Sequence, residues 1–518
     1  MRDAGAPVAA QVRAAPGEAP VAPLWRPRTF FLVLAGFAVG HILLRLAVSP
    51  VLTIDDSREA VFGQTLEWGY LPRQPPLYNW LVWGAFRLFG VGLLGLTAVK
   101  YALLVLAYAF VYLSGRRILP DARLAVLGAA SLLLMIPIGW VAHADLTHSV
   151  AVLAAAAATF HALVRLAASG SPGAYLVLGL ALGAGMLSKF SFALFAAALL
   201  VAGVTVPEFR ARILDRRLLL SLAVAGILLV PYLVWFYGHE FSLARLYALE
   251  VRAELRTGYF RGLAEGLYYI VRVTLYYLAP LGIVLLVLFP EGWRSPAAAD
   301  DPRATGRRLL GRFFLAEFGL LLAAALVGGL TYLKFRWMMP AFVLAPLYIF
   351  SRLDPARLDG ARMRRLAAIL LVFELGVAAA FAANVYRGDR LGRPSRLNAP
   401  YDAVAAELGA AGFTGGTIVA GEGPIGGNLR LWFPRARVVT LESPYYVPPG
   451  FGRGQCLVVW ERARGVPREL REFAASAFGV ELGDVPSARL VEAPYRFAPS
   501  RVLRVGYVLL PDGAGRCR

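Results

Sequence analysis

Two adjacent carboxylates, Asp55 and Asp56, directly follow the first long apolar run of the chain, residues 29–48. Charged side chains next to such a run are costly near lipid and tend to mark functional sites. Like charges this close raise the pKa of one of the two, which suits a general base that takes a proton from a hydroxyl group. Aspartate is also favoured at the start of a helix, so a solvated helix cap is the alternative interpretation.

A second polar segment, residues 140–148, contains His143, Asp145 and His148. Histidine and aspartate are metal ligands, but their spacing here differs from the two-histidine, one-glutamate helix motif of zinc proteases. A divalent metal therefore stays an alternative for this segment, and we assign no residue to it.

Several basic residues are placed where a phosphate could bind. Lys189 and Arg336 lie near the predicted outer ends of apolar runs, and residues 238–267 hold four arginines, among them Arg256. A leaving phosphate needs cations or hydrogen-bond donors as its charge develops, and arginine binds phosphate through two N–H groups. The alternatives are a cation that reaches back to the membrane surface and local pairing with the glutamates of 238–267.

Residues 77–89 follow two prolines and carry five aromatic side chains. The pattern predicts an amphipathic helix in the plane of the membrane interface. Its aromatic residues are interpreted as anchors, with sugar stacking as the alternative, and Tyr78 at its start is a candidate for substrate contact. Gln74, just before the prolines, is a second candidate.

These residues belong to a chain whose composition is that of a membrane protein. Of its 518 residues, 58% are hydrophobic and 17% charged, against about 45–50% and 25% in soluble domains. So much apolar surface excludes disorder for most of the chain, and two cysteines exclude a disulfide-rich scaffold. The net charge of +20 is explained by arginines that separate apolar runs, as the positive-inside rule expects, and not by nucleic-acid binding.

The apolar runs predict a polytopic α-helical membrane protein with about eleven spans. The predicted spans are residues 29–48, 92–114, 124–139, 149–168, 174–188, 190–206, 218–237, 268–289, 313–330, 338–351 and 366–383. Residues 1–28 are predicted to be a disordered cytoplasmic arm, and the first span an anchor without a cleavage site. Alternation from there places four basic clusters inside, at residues 116–117, 210–217, 303–312 and 352–365. It places the first outer loop, residues 49–91, and the arginines of 238–267 outside.

The remaining residues, 386–518, are rich in charge, proline and glycine and predict a small soluble α/β domain on the outer face. Expected helices are 402–411 and 467–478, and expected strands are 417–420, 437–441, 457–460, 488–492 and 502–510.

Two features of this domain leave alternatives open. Residues 421–426 fit a dinucleotide-binding fingerprint, but the helical stretch that follows is short for its crossover; we interpret the glycines as a tight strand-to-helix turn. Cys456 and Cys517 could pair in an oxidising compartment, or Cys456 could be a buried strand residue.

Taken in order, the motifs resemble the GT-C membrane glycosyltransferases. The nearest branch is the bacterial family 39/83 group, which includes protein O-mannosyltransferases and the aminoarabinose and galacturonic acid transferases of lipid A and lipopolysaccharide. The matching segments are 55–56, 75–77, 143–149, 187–191, 335–340, 427–431 and 456–461.

The resemblance implies a catalytic transmembrane domain over residues 29–385 and a polyprenyl-phosphate-linked sugar as donor. It implies that Asp55 or Asp56 deprotonates an acceptor hydroxyl, which attacks the anomeric carbon with inversion; Asp55 is our choice. Asp145 matches the second acidic position, with His148 orienting it, and Arg58 matches an arginine that could hold the lipid phosphate. Gln74 departs from the Glu-Lys of aminoarabinose transferases, which makes that sugar the less favoured one.

The sequence thus predicts a glycosyltransferase of the bacterial inner membrane with a periplasmic active site. Its donor phosphate would be bound by Arg58, Arg256, Arg336 and Lys189, and its acceptor would be a glycolipid, a lipopolysaccharide or a protein hydroxyl. The alternative is a non-enzymatic flippase or transporter of lipid-linked sugars, which would more often show internal repeats and broken spans. No cofactor is predicted.

Overall fold

The computed structural model of the chain describes residues 23–119, 121–251, 258–290, 304–354, 358–390, 392, 395–450, 454–461, 465–480, 488–511 and 517. The predicted cytoplasmic arm falls largely outside these residues. A short 3-10 helix at Pro23–Trp25 and a first helix that begins at Pro27 show that regular structure starts before the predicted boundary at residue 28.

The membrane region consists of helices of very different lengths. In chain order they are α1 Pro27–Val48, α2 Ile54–Phe62, α3 Leu77–Phe89, α4 Leu93–Ile118, α5 Ala122–Ala130, α6 Ala142–Ala144, α7 His148–Ser169, α8 Pro172–Ser188, α9 Phe192–Thr205, α10 Pro207–Ile213, α11 Leu218–Gly238, α12 Leu243–Val251, α13 Tyr259–Leu288, α14 Ala304–Leu326, α15 Met339–Phe342, α16 Ala345–Phe350 and α17 Gly360–Arg387.

Each of the eleven predicted spans corresponds to helix. Within the described residues, seven helices are long and apolar enough to cross a membrane, or up to nine if each of two bent pairs counts as one span. The bent pairs turn by 71° after Leu134 and by 115° after Thr205, and the two remaining predicted spans are shorter apolar helices, Pro172–Ser188 and Met339–Phe350. The chain is therefore a multi-pass membrane protein.

Two compact units make up the described chain. The first combines residues up to 38 with 102–143 and 148–375, and the second combines 39–101 with 144–147 and 376–518. The second unit thus unites the acidic first outer segment, the turn that carries Asp145 and the C-terminal region, although these are far apart in sequence.

The C-terminal region of the second unit is a five-stranded mixed sheet. Its helices are α18 Tyr401–Ala410, α19 Gly423–Trp432 and α20 Arg468–Phe478, and its strands are β1 Gly416–Ala420, β2 Arg437–Thr440, β3 Gln455–Glu461, β4 Arg489–Tyr495 and β5 Ala498–Leu510. The strand order is β2-β1-β3-β5-β4. The first three strands are parallel, and β5 is antiparallel to both β3 and β4.

All five predicted strands and both predicted helices are present, with β3, β4 and β5 longer than expected. The glycine-rich turn leads from β1 into α19, as predicted. The stretch that looked short for a crossover is nevertheless long enough, because α19 joins two parallel neighbours, β1 and β2. Cys456 and Cys517 are both buried and are joined in a disulfide. Cys456 is therefore both a buried strand residue and a disulfide partner, as the two interpretations allowed.

One hydrophobic core of the sheet extends into the first outer segment. It contains Val404 of α18, Leu429 of α19 and Leu457 of β3, together with Val61 and Phe62 of α2. A separate core packs α20 against the opposite face of the sheet. Because α2 shares a core with the sheet, the C-terminal region fixes where the acidic helix lies.

Candidate active site

The site is built around the start of α2, where Thr53 caps the helix. Its Oγ1 accepts a hydrogen bond from the Asp56 backbone N at 3.2 Å, which satisfies one of the N–H groups that a helix start leaves open. The cap places Asp55 and Asp56 in the first turn, where the positive end of the helix dipole favours negative charge.

Asp56 is the buried member of the acidic pair. Its Oδ1 lies 3.5 Å from Nζ of Lys100, and the side chains are 2% and 5% exposed. Burial alone would raise the pKa of Asp56, but Lys100 and Arg45 outweigh burial and hold that pKa below its ordinary value. Asp56 is therefore a fixed carboxylate that neutralises a buried cation.

Asp145 comes to the same place from the turn after α6. Burial first, and then the charge of Asp55, raise the pKa of Asp145 to about 6, while Lys100 opposes that shift. The next residue, Leu146, has a φ of 77°, a left-handed conformation that is strained for a leucine. Such strain at a turn is typical of a position held by its surroundings, here close enough to Asp55 for the charge of Asp55 to act on Asp145.

Tyr78 of α3 lies within this cluster and is fully buried. Burial raises its pKa well above the ordinary value, followed by the charges of four carboxylates, Asp56, Glu59, Asp55 and Asp145. The phenol therefore keeps its proton. The structure brings this predicted substrate-contact residue to the acids and not to a lipid-facing surface.

Glu59 and Lys100 are members of this cluster that the sequence analysis missed. Asn79 Nδ2 donates to Glu59 Oε2 at 2.7 Å, and Thr147 Oγ1 donates to Glu59 Oε1 at 3.4 Å. Glu59 thus links α2, α3 and the turn that holds Asp145. Two sequence signals could have identified them. Glu59 lies four residues after Asp55, which places both on one helix face, and Lys100 is a charged residue inside an apolar run.

Arg58, the predicted phosphate ligand, is already engaged in the structure. Its guanidinium lies 3.3 Å from Glu442 and 3.9 Å from Asp55, and its side chain is 37% exposed. Glu442 follows β2, so this contact ties the acidic helix to the sheet. Phosphate binding by Arg58 stays a prediction, and it would require exchange of one of these carboxylates for the phosphate.

Helix α19 packs directly on α2 at two glycines, Gly423 of the glycine-rich motif and Gly427 just after it. A Cβ added at Gly427 would overlap the carbonyl oxygen of Ser57, and one at Gly423 would lie 3.0 Å from the carboxylate of Glu442. Arg430 donates to the carbonyl oxygen of Ala60. The glycines thus allow close contact with the acidic helix, at the helix start where a dinucleotide would place its pyrophosphate.

The other predicted residues have different surroundings. Lys189, His148 and Arg336 belong to the first unit: Lys189 is buried and donates to Ser149 Oγ at 2.7 Å, His148 is buried, and Arg336 is half-buried on a 3-10 helix. Gln74 pairs with Leu71 in a short bridge of the first outer loop. Arg256 lies outside the described residues. Among those residues, no three His, Cys, Asp or Glu side chains are grouped to hold a metal ion.

Known proteins resemble the chain at three levels. The family described as dolichyl-phosphate-mannose-protein mannosyltransferase matches residues 73–235. The lipopolysaccharide core galacturonosyltransferases RgtB and RgtA of Rhizobium johnstonii are each 31% identical to the chain, over 90% and 91% of it and 94% of their own lengths.

A solved structure has the same fold. ArnT from Cupriavidus metallidurans bound to undecaprenyl phosphate superposes with a TM-score of 0.62 at 14% identity, covering 93% of this chain and 98% of that one. The predicted fold class and the predicted enzyme class are confirmed by these relatives. The chain belongs to the GT-C superfamily of membrane glycosyltransferases, in the same family as the two Rhizobium enzymes, and is itself a glycosyltransferase.

Proposed function

We propose that the chain transfers a sugar from a polyprenyl-phosphate donor to a hydroxyl of a glycolipid, with inversion at the anomeric carbon. The observation that carries this proposal is the cluster at the start of α2, where the charge of Asp55 acts on Asp145 close to the Asp56–Lys100 ion pair. Inverting transfer needs a carboxylate base near a cationic field, and this cluster contains both.

Asp55 is the proposed general base. Asp56 is less suited to that role because Lys100 neutralises it and its side chain is almost fully buried. In the proposed step the acceptor O–H proton passes to Asp55 as the acceptor oxygen forms a bond to the anomeric carbon. The bond from that carbon to the phosphate oxygen breaks, and the lipid phosphate leaves with the electron pair.

Asp145 is proposed to support that proton transfer. Burial and the nearby charge of Asp55 raise the pKa of Asp145 to about 6, so Asp145 can take up a proton only slightly below neutral pH. The positive charge of Lys100 opposes that shift. Donor phosphate contacts by Arg58, Lys189, Arg336 and Arg256, and orientation by His148 and Gln74, remain proposals from the family resemblance.

Galacturonic acid is the sugar we propose, with the lipopolysaccharide core as acceptor. Its support is the name of both curated relatives and the extent of their match. An undecaprenyl-type lipid is the proposed carrier, since the ArnT structure of the same fold is bound to undecaprenyl phosphate. The neutral Gln74 agrees with a sugar other than aminoarabinose.

The active site and the sheet are proposed to face the periplasm of the bacterial inner membrane. Two observations support this orientation. The arginine clusters fall on one predicted side, and the Cys456–Cys517 disulfide of the sheet forms more readily in an oxidising compartment.

The test is in vitro transfer from undecaprenyl-phosphate galacturonic acid and other undecaprenyl-phosphate sugars to lipopolysaccharide core, with donor binding scored in the same samples. Wild type should transfer, Asp55→Asn should bind donor but lose activity by orders of magnitude, and the matched control Asp389→Asn should retain it. Donor transport across vesicles without transfer would favour the flippase alternative. Transfer that survives Asp55→Asn would remove Asp55 as base.

A further inference from the structure

A polar cavity of about 310 Å³ opens on the C-terminal sheet and contains none of the acids described above. The residues that line it are Glu461, Tyr495, Arg501, Val502, Leu503 and Arg504. This volume is at the lower end of the range for small-ligand sites, and the site is an open cleft, since Arg501, Val502 and Arg504 are exposed. The side chains combine an aromatic ring, a carboxylate and guanidinium groups.

The ring and the carboxylate lie on one face of the sheet. Side chains alternate along a strand, and Leu503 and Tyr495 belong to or pack against the core that lies under α18. Tyr401 of α18 donates to Glu461 Oε1 at 2.6 Å. This hydrogen bond fixes the carboxylate of Glu461 at the cavity wall as an acceptor for further hydroxyl donors.

Arg501 supplies a positive charge that has no acidic partner within the described part of the chain. Its guanidinium carbon lies 5.1 Å from the centroid of the Tyr495 ring, a cation–π contact that leaves its N–H groups able to bind an anion. The neighbouring Arg504, by contrast, is paired with Glu492 at 2.7 Å. The cavity therefore offers one uncompensated guanidinium beside an aromatic ring.

The turn between β4 and β5 places this cavity near the end of a membrane-spanning helix. Phe497 in that turn contacts Tyr386 of α17, with ring centroids 5.1 Å apart, and both side chains are more than 40% exposed. The Arg496 backbone N donates to Asn398 O at 3.0 Å. Exposed aromatic residues next to a helix end are typical of the membrane–water interface.

We propose that this cavity binds an acidic sugar in the headgroup of a membrane glycolipid. Arg501 would bind the sugar carboxylate, Tyr495 would contact the ring, and Glu461 would accept hydrogen bonds from hydroxyl groups. Because Glu461 is itself a carboxylate, the hydroxyl groups of the sugar would face Glu461 and the sugar carboxylate would face Arg501. The proposal extends the proposed function, since the ligand would be the acceptor glycan or a neighbouring glycolipid, but it is tested by binding and does not require transfer.

The experiment measures binding of D-galacturonate to the full-length protein in detergent by saturation-transfer difference NMR. Arg501→Gln should weaken binding by about 10-fold or more, because a charge-assisted hydrogen bond is lost, and Tyr495→Ala should weaken it as well. The matched control is Arg489→Gln on the edge strand β4, an exposed arginine outside the cavity lining, which should leave binding unchanged. Neutral D-galactose should bind more weakly than galacturonate.

Galacturonate binding at the catalytic cluster would not depend on Arg501, so the Arg501→Gln difference isolates the cavity even if the transfer proposal fails. Equal loss in Arg489→Gln, or no loss in Arg501→Gln, would overturn the proposal. Displacement of galacturonate by an equimolar amount of inorganic phosphate would also overturn the proposal, because it would show a nonspecific anion-binding site.

Discussion

Asp56 and Lys100 form a buried ion pair, with Oδ1 and Nζ 3.5 Å apart and both side chains at most 5% exposed. This pair separates the roles of two adjacent aspartates that are equivalent in the sequence. Asp56 pairs with a buried cation. Asp55, which is half-buried, is therefore the aspartate that we propose for proton transfer.

Substitution of Asp56 should therefore act on stability as well as on activity. Asp56→Asn leaves Lys100 buried without its counter-charge, and removal of one partner of a buried pair costs about 3–5 kcal/mol. Thermal unfolding of the purified protein in detergent should show a clear loss. The double variant Asp56→Asn with Lys100→Met removes both charges and should recover most of that loss. A double variant as unstable as the single one would contradict the pairing.

The pH dependence of transfer should report Asp145. Its pKa of about 6 predicts that kcat/KM rises with pH through about 6 and then levels off, because Asp145 must lose its proton. In Asp145→Asn that titrating group is gone, so the rise near pH 6 should disappear and activity should fall. If kcat/KM still rises through about pH 6 in Asp145→Asn, the titrating group is not Asp145.

The same shift predicts an effect on stability with a definite sign. The pKa of Asp145 in the folded protein, about 6, lies above its model-peptide value of 3.8, so its protonated form favours the fold. That contribution is complete below pH 4 and is lost as pH rises through about 6. Asp145→Asn should therefore be more stable than wild type at pH 8 and show a smaller difference at pH 4, as measured by denaturation midpoints at both pH values.

Glu59 should act as a positioning residue for the two acids. Its carboxylate oxygens accept hydrogen bonds from the side chains of Asn79 and Thr147. In Glu59→Gln one of those oxygens becomes an NH2 group, which cannot accept, so one of the two hydrogen bonds is lost. The expected result is a fall in kcat of about 10- to 100-fold from misplacement of the base, with KM little changed and the pH limb displaced. Glu407→Gln, on an exposed position of α18, is the control.

A compensating variant tests whether this effect is positional. In Glu59→Gln with Asn79→Asp the donor and acceptor exchange places, so the hydrogen bond can form again and kcat should partly recover. A double variant with no recovery would indicate that the charge of Glu59, and not its hydrogen bond, is what matters.

Much of the fold could be predicted from the sequence because apolar length and strand alternation are local signals. The interfacial helix α3 was predicted with the same bounds that the structure has, Leu77–Phe89, and all strands of the sheet were found. The bent helix pairs could not be predicted, since apolar runs look alike whether or not they turn.

The cluster could be predicted only in part. Asp55, Asp56 and Asp145 have visible local patterns, but Lys100 is hidden in an apolar run. Its pairing with Asp56 depends on the packing of α4 against α2, which the sequence does not show. The contact of Arg58 with Glu442 joins residues 384 positions apart, and no local sequence pattern predicts it. The glycine-rich motif was understood as a turn, but the close approach of Gly423 and Gly427 to α2 depends on tertiary structure.

The disulfide should contribute strongly to the stability of the C-terminal sheet. It joins Cys456 of β3 to Cys517 across 61 residues, and closing a loop of that length limits the unfolded chain by about 4 kcal/mol. Cys456→Ser or a reductant should lower the unfolding temperature of the sheet. Alkylation of intact cells without reductant should leave both cysteines unlabelled if the sheet lies in the periplasm, and rapid labelling would contradict that orientation.

Gly427 tests whether the sheet holds the acidic helix in place. A methyl group there would overlap the Ser57 carbonyl, so Gly427→Ala should push α2 away from α19, with a stability loss of about 1–3 kcal/mol and a loss of transfer activity. Gly409→Ala in α18, where a Cβ meets nothing within 4 Å, is the matched control and should stabilise by up to about 1 kcal/mol through helix propensity. Since Gly427 touches no acid of the cluster, lost activity with donor binding retained would show that packing by α19 sets the position of Asp55. Full activity in Gly427→Ala would mean that α2 is held by its other contacts alone.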